Sequence, residues 1–427
     1  MTTTITPTEA VCADAARLDG VDLRVLAQRV GTPLHVYSAS AIRQRIRALQ
    51  TAVQGLDTLI CYAVKANANL AVLQMMADAG LGADIVSAGE LQRSLRAGIP
   101  ADRIVFSGVA KSAEEIGDAL TAGIARFNVE SKDELSSLQV LAAARNVIAR
   151  ASVRVNPDVD ALTHVKISTG RLENKFGVGI DEAREWFADR ARLTHVRLDG
   201  LHVHIGSQML CLDPIRLALQ RLAAFGRELA SGGHEINSID VGGGLGVCYR
   251  EDRDRPASVE DYAQVIRSTL SGFGGRILLE PGRWLVAEAG VLLTRVLRIK
   301  QGRQRQFLVV DAGMTELLRP SLYDAWHEIV PISPRQHPPQ IYDVVGPVCE
   351  SSDTFAVDRR LPPCEPGDLL MIRTTGAYGA AMASNYNSRP LAAEALLDRG
   401  RYAVVRRRQS FEEMIAGEQP ARSWNRT

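Results

Sequence analysis

One pattern limits what this chain can fold into more than any other. A short β-rich run, a polar or glycine-containing end and an alanine- and leucine-rich helical stretch recur from Thr58 to Leu279. The runs are residues 58–64, 83–86, 103–106, 126–129, 151–155, 198–205, 238–241 and 276–279, eight in all. Helical spacing fills most of the gaps, as at 70–79, 88–97, 113–122 and 131–144. Strands alternating with helices imply right-handed βαβ crossovers and a parallel sheet. Eight such units over about 250 residues fit a closed (β/α)8 TIM-type barrel better than an open doubly wound sheet. Lys65, Asp84 with Ser87, Ser107, Asn128 with Glu130, Asn156, His204, Gly242–Gly244 and Glu280 all fall at or just beyond the carboxyl ends of their runs. Barrel chemistry is built from those ends.

After Gly290 the rhythm stops. Residues 291–300, 306–311, 340–345, 368–373 and 402–407 read as strands between Pro- and Gly-rich turns, and the strand at 34–37 could join them. The expected architecture is therefore α/β: a barrel over 40–285, then an all-β domain over 286–427 that takes in 1–39 and completes the active site. The chain has 50 Lys and Arg against 49 Asp and Glu, a balance that gives no electrostatic case for nucleic acid or an anionic membrane. No apolar run approaches the roughly 20 residues of a membrane span, and residues 1–10 are polar and threonine-rich, unlike a secretory signal. The six cysteines (12, 61, 211, 248, 349 and 364) lie far apart with no C-x-x-C pair, which argues against a disulfide framework. A cytoplasmic protein with free thiols is the expectation.

Lys65 ends the apolar run 59–64. Desolvation there can lower a lysine's pKa and make its amine a nucleophile towards carbonyls, although a solvated lysine at a strand tip would look the same. In Asp240-Val-Gly-Gly-Gly-Leu-Gly246, consecutive glycines can turn backbone N–H groups together around an anion, commonly a phosphate. The spacing is not that of a dinucleotide loop. Glu280-Pro-Gly-Arg283 offers a carboxylate for a protonated ring nitrogen and an arginine for a phosphate or carboxylate, or else a mutual salt bridge. His202 and His204 are two apart on a run, so both could face inward. No third metal ligand is placed beside them, and an imidazole stacked on a flat cofactor ring suits the set better than a metal. Cys349 and Tyr378 have no assigned role on local grounds.

Taken together the pieces resemble the diaminopimelate decarboxylase family of fold-type III pyridoxal-phosphate (PLP) enzymes. The resemblance rests on ICYAVKAN (60–67), GADIVSAGEL (82–91), VRVNPDVDALTHVKISTG (153–170), ENKFGVGI (173–180), HIGSQ (204–208), DVGGGLG (240–246), EPGR (280–283), LRPSLYDAWH (318–327), VVGPVCESSDTF (344–355) and GAYGAAMASNYNSRP (376–390). It implies that Lys65 carries PLP covalently and that Gly242, Gly243 and Gly244, with Gly282, Arg283 and Tyr378, hold its phosphate. Asp84 belongs to the same cofactor set, Glu280 would meet the pyridine nitrogen and His204 would stack on the ring. Arg283, Arg319, Tyr323, Glu350 and Tyr378 would contact the substrate. Cys349, supplied by the other subunit of a homodimer with shared active sites, would donate a proton, and the carboxylates of Glu350 and Asp353 would favour its thiol form. No metal is implied. The implied reaction is decarboxylation of meso-2,6-diaminopimelate to L-lysine, the alternative being a paralogue with another amino-acid or carrier-bound substrate. An alanine-racemase-like enzyme would place an arginine where Glu280 stands, and a single-barrel PLP carrier would not need the β domain. Residues 156–179 are a candidate loop for closing over the substrate.

Overall fold

The computed structural model describes residues 16–161 and 175–421. The chain divides into two compact units: Ser40–Ala289 with Gly376–Ala381, and the residues up to Ala39 with Gly290–Thr375 and those from Met382. The segment 376–381, which sequence reading puts in the C-terminal domain, thus groups with the first unit.

In the first unit eight strands follow in order: β1 (Thr58–Ala63), β2 (Gly82–Ile85), β3 (Ile104–Phe106), β4 (Arg126–Val129), β5 (Ala149–Arg154), β6 (Val196–His202), β7 (Ser238–Asp240) and β8 (Arg276–Leu279). Each pairs in parallel with the next, and β8 returns to β1, closing a barrel. Local chemistry starts the intervening helices. Asn69, Ser87, Ser112, Ser131 and Ser258 each stand at an N-cap and accept a hydrogen bond from the first turn. Ser112 and Glu115 complete a reciprocal capping box, and Gly123 ends that helix in the left-handed conformation.

Branched aliphatic side chains usually fill such a barrel. Here part of the interior is polar, beside a small apolar cluster of Leu59, Cys61, Val105 and Leu278. A Cβ added at Gly200 on β6 would lie 2.3 Å from Ser152 Oγ and 2.6 Å from both Arg126 Nη1 and Ser238 Oγ, so three polar side chains converge on a position only glycine can occupy. Arg126 is neutralised there by Asp199, 2.6 Å away. Two residues further along their strands, where side chains face inward again, stand Asn128, His202 and Asp240, all wholly buried. A polar column therefore leads up to the carboxyl ends of the strands.

The second unit is built on a nine-stranded sheet. The fully buried strand Leu34–Ser38 pairs antiparallel with β9 (Gly290–Gln301) and parallel with Ala393–Asp398. Leu34, Val36, Leu293 and Leu397 share one apolar core, and Leu292, Val310, Val344 and Ile372 share another. Strands at Ile329–Pro331, Thr354–Leu361 and Ala393–Asp398 have no counterpart in the sequence reading. In the last, AEALLD, the two Ala, the Glu and the Asp are of types depleted in strands, and pairing with a buried neighbour overrides that preference. Among the described residues no helix is long and apolar enough to cross a membrane.

Candidate active site

β1 ends at Ala63, and a single 3-10 turn, Val64–Ala66, carries Lys65 out of the barrel wall. Asn67 secures that turn: its carbonyl accepts from Tyr62 Oη at 3.1 Å and its side-chain amide donates to Gly376 O at 3.1 Å. Lys65 Nζ donates to Asp84 Oδ2 at 2.5 Å, while Asp84 Oδ1 is buried without a partner among the described residues. Burial pulls the Lys65 pKa down, but the charges of Asp84 and Glu280 outweigh it and the net shift is upward. The expectation of a desolvation-lowered lysine is therefore corrected: two carboxylates favour the protonated amine of Lys65. Burial and the charge of Glu280 raise Asp84 in turn. Glu90, which braces the next helix start by accepting from Val86 N at 2.7 Å, is pushed up by burial to about 7.

Glu280 follows β8 and is 6% exposed. Its Oε1 accepts from Ser107 Oγ and Asn128 Nδ2, both at 3.2 Å, and its Oε2 lies 3.2 Å from His202 Nε2. Among the described residues these, and not Arg283, are its side-chain partners, so the salt bridge weighed for the EPGR segment is not formed. Burial opposes ionisation of Glu280, but His202 and Lys65 outweigh it and hold the carboxyl well below its usual range. Asp240 shifts the other way, raised by burial and by Glu280. His202, Asp240 and Glu280 can bring one ligand atom each within 4.8 Å of one another. The third metal-type ligand that was missing beside His202 thus exists in space. The oxygens and nitrogen concerned are nevertheless occupied by hydrogen bonds: Asp240 Oδ1 accepts from Gly242 N at 2.9 Å, and Oδ2 lies 3.3 Å from Asn128 Nδ2.

His204 lies beyond β6 with its ring partly exposed, and Gly243 N reaches its Nδ1 at 3.2 Å. Accepting at Nδ1 requires an uncharged ring on that side, which agrees with a pKa pushed down to about 3 by burial and by the charges of Arg154 and Lys65. The glycine segment is a tight cradle. A Cβ at Gly242 would lie 2.4 Å from Val203 O, one at Gly243 2.2 Å from Glu280 O, and one at Gly244 2.1 Å from Met209 Cε. Gly242 and Gly244 also have positive φ, 67° and 108°, which favours glycine. The simple picture of three glycine amides turned to one anion is corrected: Gly242 N serves Asp240 and Gly243 N serves His204. Arg283, 6% exposed, donates from Nη1 to Tyr249 Oη at 2.6 Å and from Nη2 to Ser207 Oγ at 3.0 Å, with its plane 4.7 Å from the Tyr378 ring centre. Gly282 packs against Ala63 and Ala66, and Tyr378 N donates to Ala66 O at 2.8 Å. Lys65, His204, Gly243, Gly244, Glu280, Gly282, Arg283 and Tyr378 line one pocket.

Arg319, Tyr323, Cys349 and Glu350 belong to the second unit. Arg319 is buried, its Nη1 2.8 Å from His327 Nε2, while His327 Nδ1 lies 2.9 Å from Arg373 O. That carbonyl takes the ring proton, leaving Nε2 to accept from the guanidinium. Tyr323 is half-buried at the end of the same short helix, Arg319–Tyr323. Cys349 and Glu350 are exposed, and Cys349 N donates to Asn387 Oδ1 at 2.8 Å. Asp353, by contrast, is buried and accepts from Met314 N and Val348 N, which makes it a brace for its loop. Sequence reasoning assigned no role to Ser207, Tyr249 and His327, although HIGSQ and LRPSLYDAWH contain two of them. Most of the candidate closing loop, at 162–174, and Cys12 lie outside the described residues.

The family model "Pyridoxal-dependent decarboxylase, pyridoxal binding domain" matches residues 39–287. A diaminopimelate decarboxylase of Pseudomonas aeruginosa is 48% identical over 400 residues, 94% of this chain and 96% of that protein. This chain belongs to the diaminopimelate decarboxylase family. Among solved structures of the family, the Helicobacter pylori enzyme complexed with L-lysine superposes with a TM-score of 0.89 at 46% identity, covering 92% of this chain and 98% of that one. The M. jannaschii enzyme gives 0.90 at 36%, covering 95% and 96%. The pocket fits the family's pyridoxal cofactor on its own terms. It combines a lysine amine, a buried ionised carboxylate and a close-packed glycine segment in which a Cβ at 242, 243 or 244 would clash with its neighbours. Behind Lys65, Asp84 keeps a buried Oδ1 without a partner among the described residues.

Proposed function

We infer that this chain is a PLP-dependent carboxy-lyase that converts meso-2,6-diaminopimelate to L-lysine and CO2, the last step of lysine biosynthesis. The observation that carries this reading is the near-full-length match to diaminopimelate decarboxylases, with Lys65, His204 and Glu280 lining one pocket. When bound, PLP supplies the electron sink that accepts the electron pair left as CO2 departs.

The residues have these parts. Lys65 is the amine that would hold the cofactor, and Asp84, 2.5 Å away, orients it by accepting its hydrogen bond. Glu280 is kept ionised to accept the ring N–H. His204, uncharged, offers a flat face for the ring. Gly244, Gly282 and Arg283 hold the phosphate end, with Arg283 kept in plane by Ser207, Tyr249 and Tyr378. Arg319, preset by His327, binds a substrate carboxylate with Tyr323, Glu350 and Tyr378. Cys349 donates the proton that replaces CO2, from the second subunit of a homodimer with shared sites. The setting is cytoplasmic.

Purified protein given meso-diaminopimelate, ornithine, arginine or lysine should release CO2 from the first alone; preference for another would assign it to a paralogous decarboxylase. Mixing inactive Lys65→Ala and Cys349→Ala chains should restore activity through hybrid dimers, and no recovery under demonstrated subunit exchange would sink the shared site.

A further inference from the structure

Glu280 has a titratable neighbour that does not line the pocket. His202 is wholly buried in the polar column beneath the pocket, and its Nε2 meets Glu280 Oε2 at 3.2 Å. The remaining partners of Glu280, Ser107 and Asn128, are neutral. Ionised, Asp240 and Asp84, both buried nearby, would work against the ionisation of Glu280, and burial and its charge push both of them up. Carboxylates this close in a low-dielectric interior cannot all stay charged unless a cation stands among them. Lys65 pairs with Asp84. His202 is the group left at hydrogen-bond distance from Glu280.

We propose that His202 is a positioning residue that acts through Glu280: as an imidazolium it donates Nε2–H to Oε2, keeps Glu280 ionised and aimed at the pocket, and so keeps the cofactor's ring nitrogen protonated. The inference rests on the PLP reading above. Several charges face His202. Glu280 and Asp240 favour its protonation, burial and Arg154 oppose it, and the balance is upward. Asp240, held by Gly242 N and close to Asn128, is pushed up to about 8 by burial and by Glu280, so it takes a proton before Glu280 does. His202 Nδ1 is buried without a partner among the described residues.

The test uses holoenzyme loaded with PLP labelled with 15N at the ring nitrogen. Wild type should show the protonated ring-nitrogen resonance. His202→Gln, which keeps an N–H donor but not the charge, should move that resonance towards the unprotonated position and lower kcat by about 10-fold or more, with KM within about threefold. A ring nitrogen still fully protonated in folded, loaded H202Q would overturn the proposal. Should H202Q fail to fold, a neutron structure of wild-type holoenzyme decides: protons on both ring nitrogens of His202 support the proposal, and one proton overturns it. If wild-type protein shows no cofactor absorbance band that borohydride abolishes, the PLP reading has failed, and not the role of His202 within it.

Discussion

Each unit buries a carboxylate, and the two are satisfied in different ways. Asp353 in the sheet unit, 3% exposed, takes the backbone N–H groups of Met314 and Val348 at 2.6 and 2.7 Å. Gly313 and Gly346 pack against it so closely that a Cβ would lie 3.0 and 2.3 Å from its Oδ2. Glu280 in the barrel unit takes only side chains, one of them titratable, and lines a pocket. Backbone partners fix a loop and leave nothing to tune. Side-chain partners set the charge of the carboxylate and leave a direction open for a ligand. Both residues are buried acids in glycine-containing segments, so burial alone would not have told them apart.

The sharpest attempt to break this contrast is at the pocket. Lys65→Ala should lose the borohydride-sensitive absorbance band and at least about 10³-fold in kcat; a retained band would remove the cofactor assignment. Next, Glu280→Gln should lower kcat about 100-fold. Asp353→Asn should act on stability instead, costing about 1–3 kcal/mol in urea unfolding, with a smaller loss of kcat than Glu280→Gln. The reverse order of kcat losses would erase the distinction between tuned and bracing carboxylates.

Acid sensitivity separates the units by a smaller amount. His35 in the sheet unit is wholly buried, and burial with the charge of Arg406 pushes it down to about 3. An unfolded His35 binds its proton near 6.5. Between those values the unfolded chain holds a proton that the native chain lacks, so stability falls as pH drops from about 6.5 towards 3. The loss from His35 is on the order of 4 kcal/mol at the bottom of that window. His204 has the same sign, but its ring is partly exposed at the pocket, so water screens it and its share is smaller. Denaturant midpoints at pH 7, 5.5 and 4.5 should fall in that order, and less steeply in His35→Leu; an unchanged slope would rule out His35 as the source. The smallest effect is a control far from either carboxylate: Ser112→Ala removes a helix cap and should cost about 1 kcal/mol with kcat unchanged.

Much of the barrel was legible because its signals are local. Strand and helix periods, the serine and asparagine caps, and polar residues at strand ends are written within a few residues of one another. The strand Ala393–Asp398 was not legible, since only its buried partner Leu34–Ser38 makes a strand of that composition. At the site the limit was similar. The two-residue spacing of His202 and His204 showed that both could face inward, but not that they would differ. His202 meets Glu280 across 78 residues, whereas His204 accepts from Gly243. The direction of the Lys65 shift is beyond local sequence for the same reason: desolvation belongs to the strand end, but the opposing charges come from β2 and from beyond β8. Sequence determined which residue types stand at the chemical face of the barrel. Closure of the barrel decided which charges share a few ångströms, and in a low-dielectric interior those distances set every protonation state on that face.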